Sequence, residues 1–313
     1  MKLKRKTHHL LTRGKMALYG HVLNPLWLSS EQRRAIRSEA FGKLIPDYLE
    51  KYCLGAVESV PETVGSVPET GPSDVGQEKI FSIWFQGEEN APDTVKSCFA
   101  SIRRHCTQEL VVLDEKSLWD YISLPDCIVS KFKQGKIGYA HFSDLCRVEL
   151  LYRYGGYWID ATAFATGPVP EVIADAPFFV YRTGHRISGY YSYIQNCFIH
   201  ARKGEWMIAA WRAMMFAYWA EEDKRLDYFQ HQLMFKVLVT RNERARRLFE
   251  AMPQIDHDLN HLLWYDLGAE PSCEELIPDL IPAENFFQKT CSRDRRFVPG
   301  SWREWIAGYW RRG

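Results

Sequence analysis

The chain has 313 residues, is 46% hydrophobic and carries a formal net charge of +1. That length and apolar share suit one substantial core with small appendages, and so small a charge leaves no footprint for nucleic acid. No apolar run reaches about 18 residues, so no membrane-spanning helix is expected; the eight cysteines show no CxxC or Cys/His metal spacing and suit reduced thiols in a cytosolic protein.

Residues 1–54 are expected to form a basic helical appendage. Lys2, Lys4, Arg5, Lys6, Arg13 and Lys15 all precede the first acid, Glu31. Leu10, Leu11, Met16, Leu18, Val22, Leu26, Trp27 and Leu28 are interleaved with them. That mixture suits an anionic membrane surface, or equally a helical cap on the main domain with a solvated basic face. Ser29-Ser30-Glu31 opens a further helix running to about Cys53. Residues 55–78 read as a low-complexity linker, with SVPET at Ser59–Thr63 and again at Ser66–Thr70.

The main domain is expected over residues 79–285. Ile80–Phe85 reads as a strand ending at Gln86-Gly87. Asn90-Ala91-Pro92 opens a helix to about His105, and Leu110–Leu113 is a second strand. Strand, helix, strand implies parallel pairing through a right-handed crossover. Two short helices, Leu118–Ile122 and Ile128–Lys133, lead to a turn at Gly135 and Gly138.

The stretch Ala140–Thr162, AHFSDLCRVELLYRYGGYWIDAT, is the centre of the chain. Ser143–Tyr154 reads as a helix with Ser143 as N-cap, stopped by Gly155-Gly156. Tyr157-Trp158-Ile159 is a buried strand, and Asp160 sits where it ends. Open α/β sheets bind ligands outside the carboxyl ends of their strands, so Asp160 is placed to hold a metal or a nucleotide. Asp144 and Arg147, three apart, share a helix face; alone, such a pair is a weak surface contact.

Beyond it, Pro177–Arg182 and Tyr193–His200 read as strands, the second containing Asn196. Gly184–Tyr191 is expected to be a mobile loop over the site. Helices are expected over Glu205–Ala220, Leu226–Val239 and Asn242–Ala251, the second carrying Asp227 and His231 four apart. Residues 252–285 read as irregular. Residues 286–313 form a basic, Trp-rich tail with Arg293, Arg295, Arg296, Trp302, Arg303, Trp305, Trp310, Arg311 and Arg312. It suits a membrane interface, an anionic glycan, or simple docking on the N-terminal region.

The motif S-D-x-x-R…L-Y-x-Y-G-G-x-x-x-D formed by Ser143, Asp144, Arg147 and Leu151 through Asp160 resembles that of the capsular-polysaccharide-synthesis glycosyltransferases. These are related to the mannosyltransferase and clostridial-toxin glucosyltransferase group, and the resemblance runs from about Lys79 to Phe235. It implies a GT-A-type α/β fold, a nucleotide-sugar donor (a UDP-sugar), and transfer with retention to a glycan or lipid-linked glycan. It implies sugar contacts from Asp144 and Arg147, and a base site near Trp84 or Phe85 with Gln86 beside it. Asn196, at a strand position that can face the donor, is expected as a further donor contact. A divalent cation, Mn²⁺ or Mg²⁺, is expected on Asp160, with Thr162 standing where the wider group has a second carboxylate and His231 either a third ligand or an acceptor contact. Such a protein is expected in the cytoplasm, with the inner face of the plasma membrane as a site where its basic termini would dock. Two rival readings stay open: a non-catalytic assembly protein, favoured by the missing second carboxylate, and a transferase acting on protein.

Overall fold

The computed structural model describes residues 10–17, 29–61, 78–186, 189–293 and 296–312. Most of the SVPET repeat and the first basic residues lie outside them.

Five strands form the central sheet. They are β1 (Ile80–Ile83), β2 (Leu110–Leu113), β3 (Gly156–Ile159), β5 (Phe178–Arg182) and β6 (Ile194–Ala201), in the order β2-β1-β3-β6-β5. β1 pairs in parallel with β2 and β3, while β6 runs antiparallel to β3 and β5. Four strands therefore share one direction, and α3 (Asp93–His105) makes the crossover between β1 and β2. β4 (Ala163–Ala165) and β7 (Phe287–Lys289) form a separate antiparallel ribbon. This is the α/β architecture, with a mostly parallel central sheet flanked by helices, that the sequence reading implied.

The helices are α1 (10–17), α2 (Ser30–Val57), α4 (Leu118–Tyr121), α5 (Asp126–Lys133), α6 (Tyr139–Tyr154), α7 (Glu171–Ala174), α8 (Trp206–Glu221), α9 (Gln230–Arg241), α10 (Glu243–Ala251), α11 (Ile277–Leu280) and α12 (Trp302–Ala307). Strand alternation splits the core. Trp158 and Val180 pack with α2, α6, α8 and α9 on one face, while Tyr157, Ile159 and Phe179 pack toward the ribbon on the other. Among the described residues no helix is long and apolar enough to cross a membrane.

Several boundaries differ from the sequence reading. α2 starts as expected, with a capping box between Ser29 and Gln32, but runs past Cys53 into the supposed linker. Its buried Phe41, Ile45, Tyr48 and Leu49 join the main core. α6 begins at Tyr139, not Ser143, because Phe142 is wholly buried and its amide already bonds to the Gly138 carbonyl. α9 begins at Gln230, since Asp227 instead caps a turn through the Phe229 amide. The Gly184–Tyr191 loop is anchored near both ends: the His185 amide bonds to Asp258 and the Tyr190 hydroxyl to Asp227.

The tail is the largest difference. Trp302, Trp305 and Ile306 of α12 are buried with Phe164, Leu263 and Trp264, and the Ser97 hydroxyl donates to the Ala307 carbonyl. Burial of their apolar rings against α3 and β4 removes these tryptophans from any outer surface. The break expected at residue 286 falls one residue before β7, which pairs with β4.

Both glycines of the central motif have positive φ, 68° at Gly155 and 84° at Gly156. A Cβ at Gly156 would lie 2.4 Å from the Lys79 carbonyl oxygen, and one at Gly155 would lie 2.4 Å from the Lys203 amide nitrogen. The pair turns α6 tightly into β3 while neighbouring backbone closes on it. Gly156→Ala is expected to destabilise the protein by about 1–3 kcal/mol, read as a lowered thermal midpoint; an unchanged midpoint would contradict this packing.

Candidate active site

Five elements bring the site together, α9 with His231 and β7 with Lys289 among them. α6 supplies Asp144 and Arg147, the end of β3 supplies Asp160, and β6 supplies Asn196. β6 reaches the site through an irregularity: Val180 faces Ile199, but Tyr181 faces Gln195, so residues 196–198 bulge from the β5 ladder. Such bulges re-aim side chains, and Asn196 turns toward α6.

Arg147 is the hub. Its Nη2 lies 3.2 Å from Asp144 Oδ1 and 3.4 Å from Asp160 Oδ1, while Nη1 donates to the Asn196 carbonyl. The guanidinium lies over the Trp158 ring, 4.7 Å from its centroid. Trp158 Nε1 donates to Asp160 Oδ1 at 3.0 Å. Asn196 Nδ2 donates to Asp144 Oδ1 at 3.3 Å, and Gln232 Nε2 donates to Asn196 Oδ1 at 3.1 Å.

His231 meets Asp144 and Asn196, not Asp227. Its Nδ1 lies 3.2 Å from Asp144 Oδ1 and 2.8 Å from Asn196 Nδ2, and its ring stacks on Trp211 at 4.0 Å. The i,i+4 pairing with Asp227 does not form because Asp227 precedes α9. His231 Nε2 is buried without a hydrogen-bond partner among the described residues.

At Asp160 the chain turns sharply, the Ala163 amide bonding back to the Asp160 carbonyl at 2.9 Å. The turn points Asp160 and Thr162 at a common partner: Lys289 on β7. Its Nζ donates to Asp160 Oδ2 at 2.8 Å and to Thr162 Oγ1 at 2.7 Å. Nothing local in the sequence marks Lys289. It lies 127 residues beyond Thr162, on a three-residue strand too short to show a period.

The site is graded from closed to open. The Asp144 and Arg147 side chains are 10% and 6% exposed, whereas Asp160 and Lys289 are 24% and 21% exposed, so a ligand reaches the latter pair more easily. Burial alone would raise the Asp144 pKa, but the fields of His231 and Arg147 hold it down at about 2. Asp160 is also lowered: burial opposes, but Lys289 and then Arg147 prevail. Burial would lower the Lys289 pKa, yet Asp160 raises it. Burial lowers His231 below its ordinary value against the pull of Asp144.

Trp84 is half-buried beside Val95, Phe99 and Ala161, the residue after Asp160, and its buried indole N–H has no hydrogen-bond partner among the described residues. Phe85 turns the other way, into a ring cluster with Phe132, Tyr139 and Phe142. Gln86 is exposed just past β1.

The expected cation ligands, Asp160, Thr162 and His231, do not assemble around one point. Lys289 spans the first two, and His231 is committed to Asp144 and Asn196. Among the described residues no group of three or more His, Cys, Asp or Glu side chains is gathered to hold a metal. A divalent ion on Asp160 would also face the ammonium. At about 4 Å and an effective dielectric of about 20 that repulsion is about 8 kcal/mol. The donor set as it stands does not fit Mn²⁺ or Mg²⁺.

A family model described as capsular polysaccharide synthesis protein matches residues 32–293. The match is wider than the stretch from Lys79 to Phe235 that carries the resemblance, taking in most of α2 and Lys289 on β7. No curated protein gives a match. Among solved structures, one titled "PaToxG Glycosyltransferase" aligns at 12% identity over 69% of this chain and 84% of that chain, with a TM-score of 0.39.

Proposed function

The chain belongs to the capsular polysaccharide synthesis protein family, and from that premise we propose that it is a glycosyltransferase. In this reading it moves a sugar from a nucleotide sugar, a UDP-sugar, with retention of anomeric configuration, onto a glycan or lipid-linked glycan. The observation that carries the reading is the Asp144–Arg147–Asp160 cluster at the carboxyl end of β3, with Lys289 on its open side. The chemistry of a nucleotide sugar matches it. Cations offset the charge of a diphosphate, and ionised carboxylates accept hydrogen bonds from sugar hydroxyls. Trp84 offers a flat face near Asp160 for a base.

Retention is supported by the state of the two carboxylates. Asp144 and Asp160 are both held in the ionised form by neighbouring cations. A carboxylate so stabilised is a poor general base. The proton of the acceptor hydroxyl is better placed on the leaving diphosphate. His231 and Asn196 then serve to fix Asp144 in position rather than to react.

The test is time-resolved proton NMR of the purified protein with a panel of UDP-, GDP- and ADP-sugars. Slow hydrolysis of one UDP-sugar is expected, the first-formed sugar keeping the anomeric configuration of the donor. Release of the opposite anomer would contradict retention, and no hydrolysis or transfer with any donor would contradict the enzymatic reading.

A further inference from the structure

We propose that Lys289 is the resident cation of the donor site, standing against the donor diphosphate where a divalent ion was expected. The inference rests on the glycosyltransferase reading above and gives one of its charges to a residue that no motif marks.

An ammonium has three N–H donors. Two are committed, to Asp160 Oδ2 and Thr162 Oγ1, and the side chain remains partly open to solvent. The third donor has no hydrogen-bond partner among the described residues. A cation held from behind by a carboxylate and a hydroxyl, with one donor free on its open side, is a preorganised anion receptor.

The backbone around it is fixed. Lys289 pairs with Ala163, and the Thr290 amide bonds to the Thr162 carbonyl at 2.8 Å. Gln288 is wholly buried, accepting from the Leu263 amide and donating to the Leu259 carbonyl. Lys289 is thus held between two anchored neighbours, at the turn that also positions Asp160. The local charges balance as well. Asp144 and Asp160 offset Arg147 and Lys289, so these four side chains offer no surplus negative charge for a divalent ion.

In the transfer step, the bond from the anomeric carbon to the diphosphate oxygen breaks, and its electron pair stays on that oxygen. The acceptor hydroxyl oxygen forms the new bond to the anomeric carbon, and its proton passes to the diphosphate. Lys289 stays protonated throughout and donates to the oxygen on which charge grows.

Calorimetric titration with UDP, GDP and ADP, in EDTA and separately in Mn²⁺, tests this. The wild type is expected to bind UDP with Kd values within about threefold of each other in the two conditions. Lys289→Met is expected to weaken that binding at least tenfold, and Lys289→Arg to keep part of it. Thermal melts of both variants report whether they fold. Wild-type binding that requires Mn²⁺ would overturn the inference while leaving the donor reading intact, as would a folded Lys289→Met that binds UDP like the wild type. Failure of all three nucleotides to bind in either condition would overturn both.

Discussion

Replacing Arg147 by lysine is expected to reduce donor turnover by at least about a hundredfold, nearly as much as replacing it by alanine. One guanidinium touches Asp144, Asp160 and the Asn196 carbonyl while lying over Trp158. A lysine ammonium is a point charge on a flexible stem and cannot span that set or stack in the same way. At least one carboxylate would lose its partner in a largely closed site, and breaking a buried pair costs about 3–5 kcal/mol. Part of that cost should appear as a lower melting temperature and part as a lower kcat/KM. Near-normal turnover in Arg147→Lys would show that the three contacts are not used together.

Asp160→Asn is expected to lower kcat/KM by about 10²–10³-fold, the usual scale for removing one preorganised electrostatic partner. The carboxylate holds two cations, Arg147 and Lys289, and accepts from the Trp158 indole. An amide keeps the shape but removes the charge. Lys289 would no longer be fixed by charge, and its amine would lose part of the support that keeps its pKa raised. The loss should therefore appear in both nucleotide binding and turnover, measured by calorimetry and by donor hydrolysis on the same preparation. Unchanged UDP affinity in the variant would break the link from Asp160 through Lys289 to the diphosphate.

Much of this site was legible from one stretch of sequence because its parts are local. Helix, Gly-Gly, strand and carboxylate lie within Ala140–Thr162, and helical spacing alone places Asp144 and Arg147 on one face. The positive φ values at Gly155 and Gly156 are what the sequence reading required of the helix stop. Contacts made over long sequence separations were not legible. His231 drew attention through Asp227, but tertiary packing gives it Asp144 and Asn196 instead. Lys289 carried no signal at all, since β7 is three residues long and pairs with a strand more than 120 residues earlier. The tail was legible only in part for a related reason: Trp302 and Trp305 fill a gap between α3, β4 and the residues around Trp264, while Trp310 stays exposed.

We propose that Asp144 contacts the sugar and not the nucleotide: it is the more enclosed of the two carboxylates and is held by Arg147, with His231 and Asn196 beside it. The most direct measurement is paired calorimetry of wild type and Asp144→Asn, each titrated with UDP and with the UDP-sugar selected by the hydrolysis panel. UDP should bind both proteins with Kd values within about threefold of each other, while the extra affinity contributed by the sugar should disappear in the variant. Equal loss of UDP and UDP-sugar binding, or full retention of both, would contradict the account.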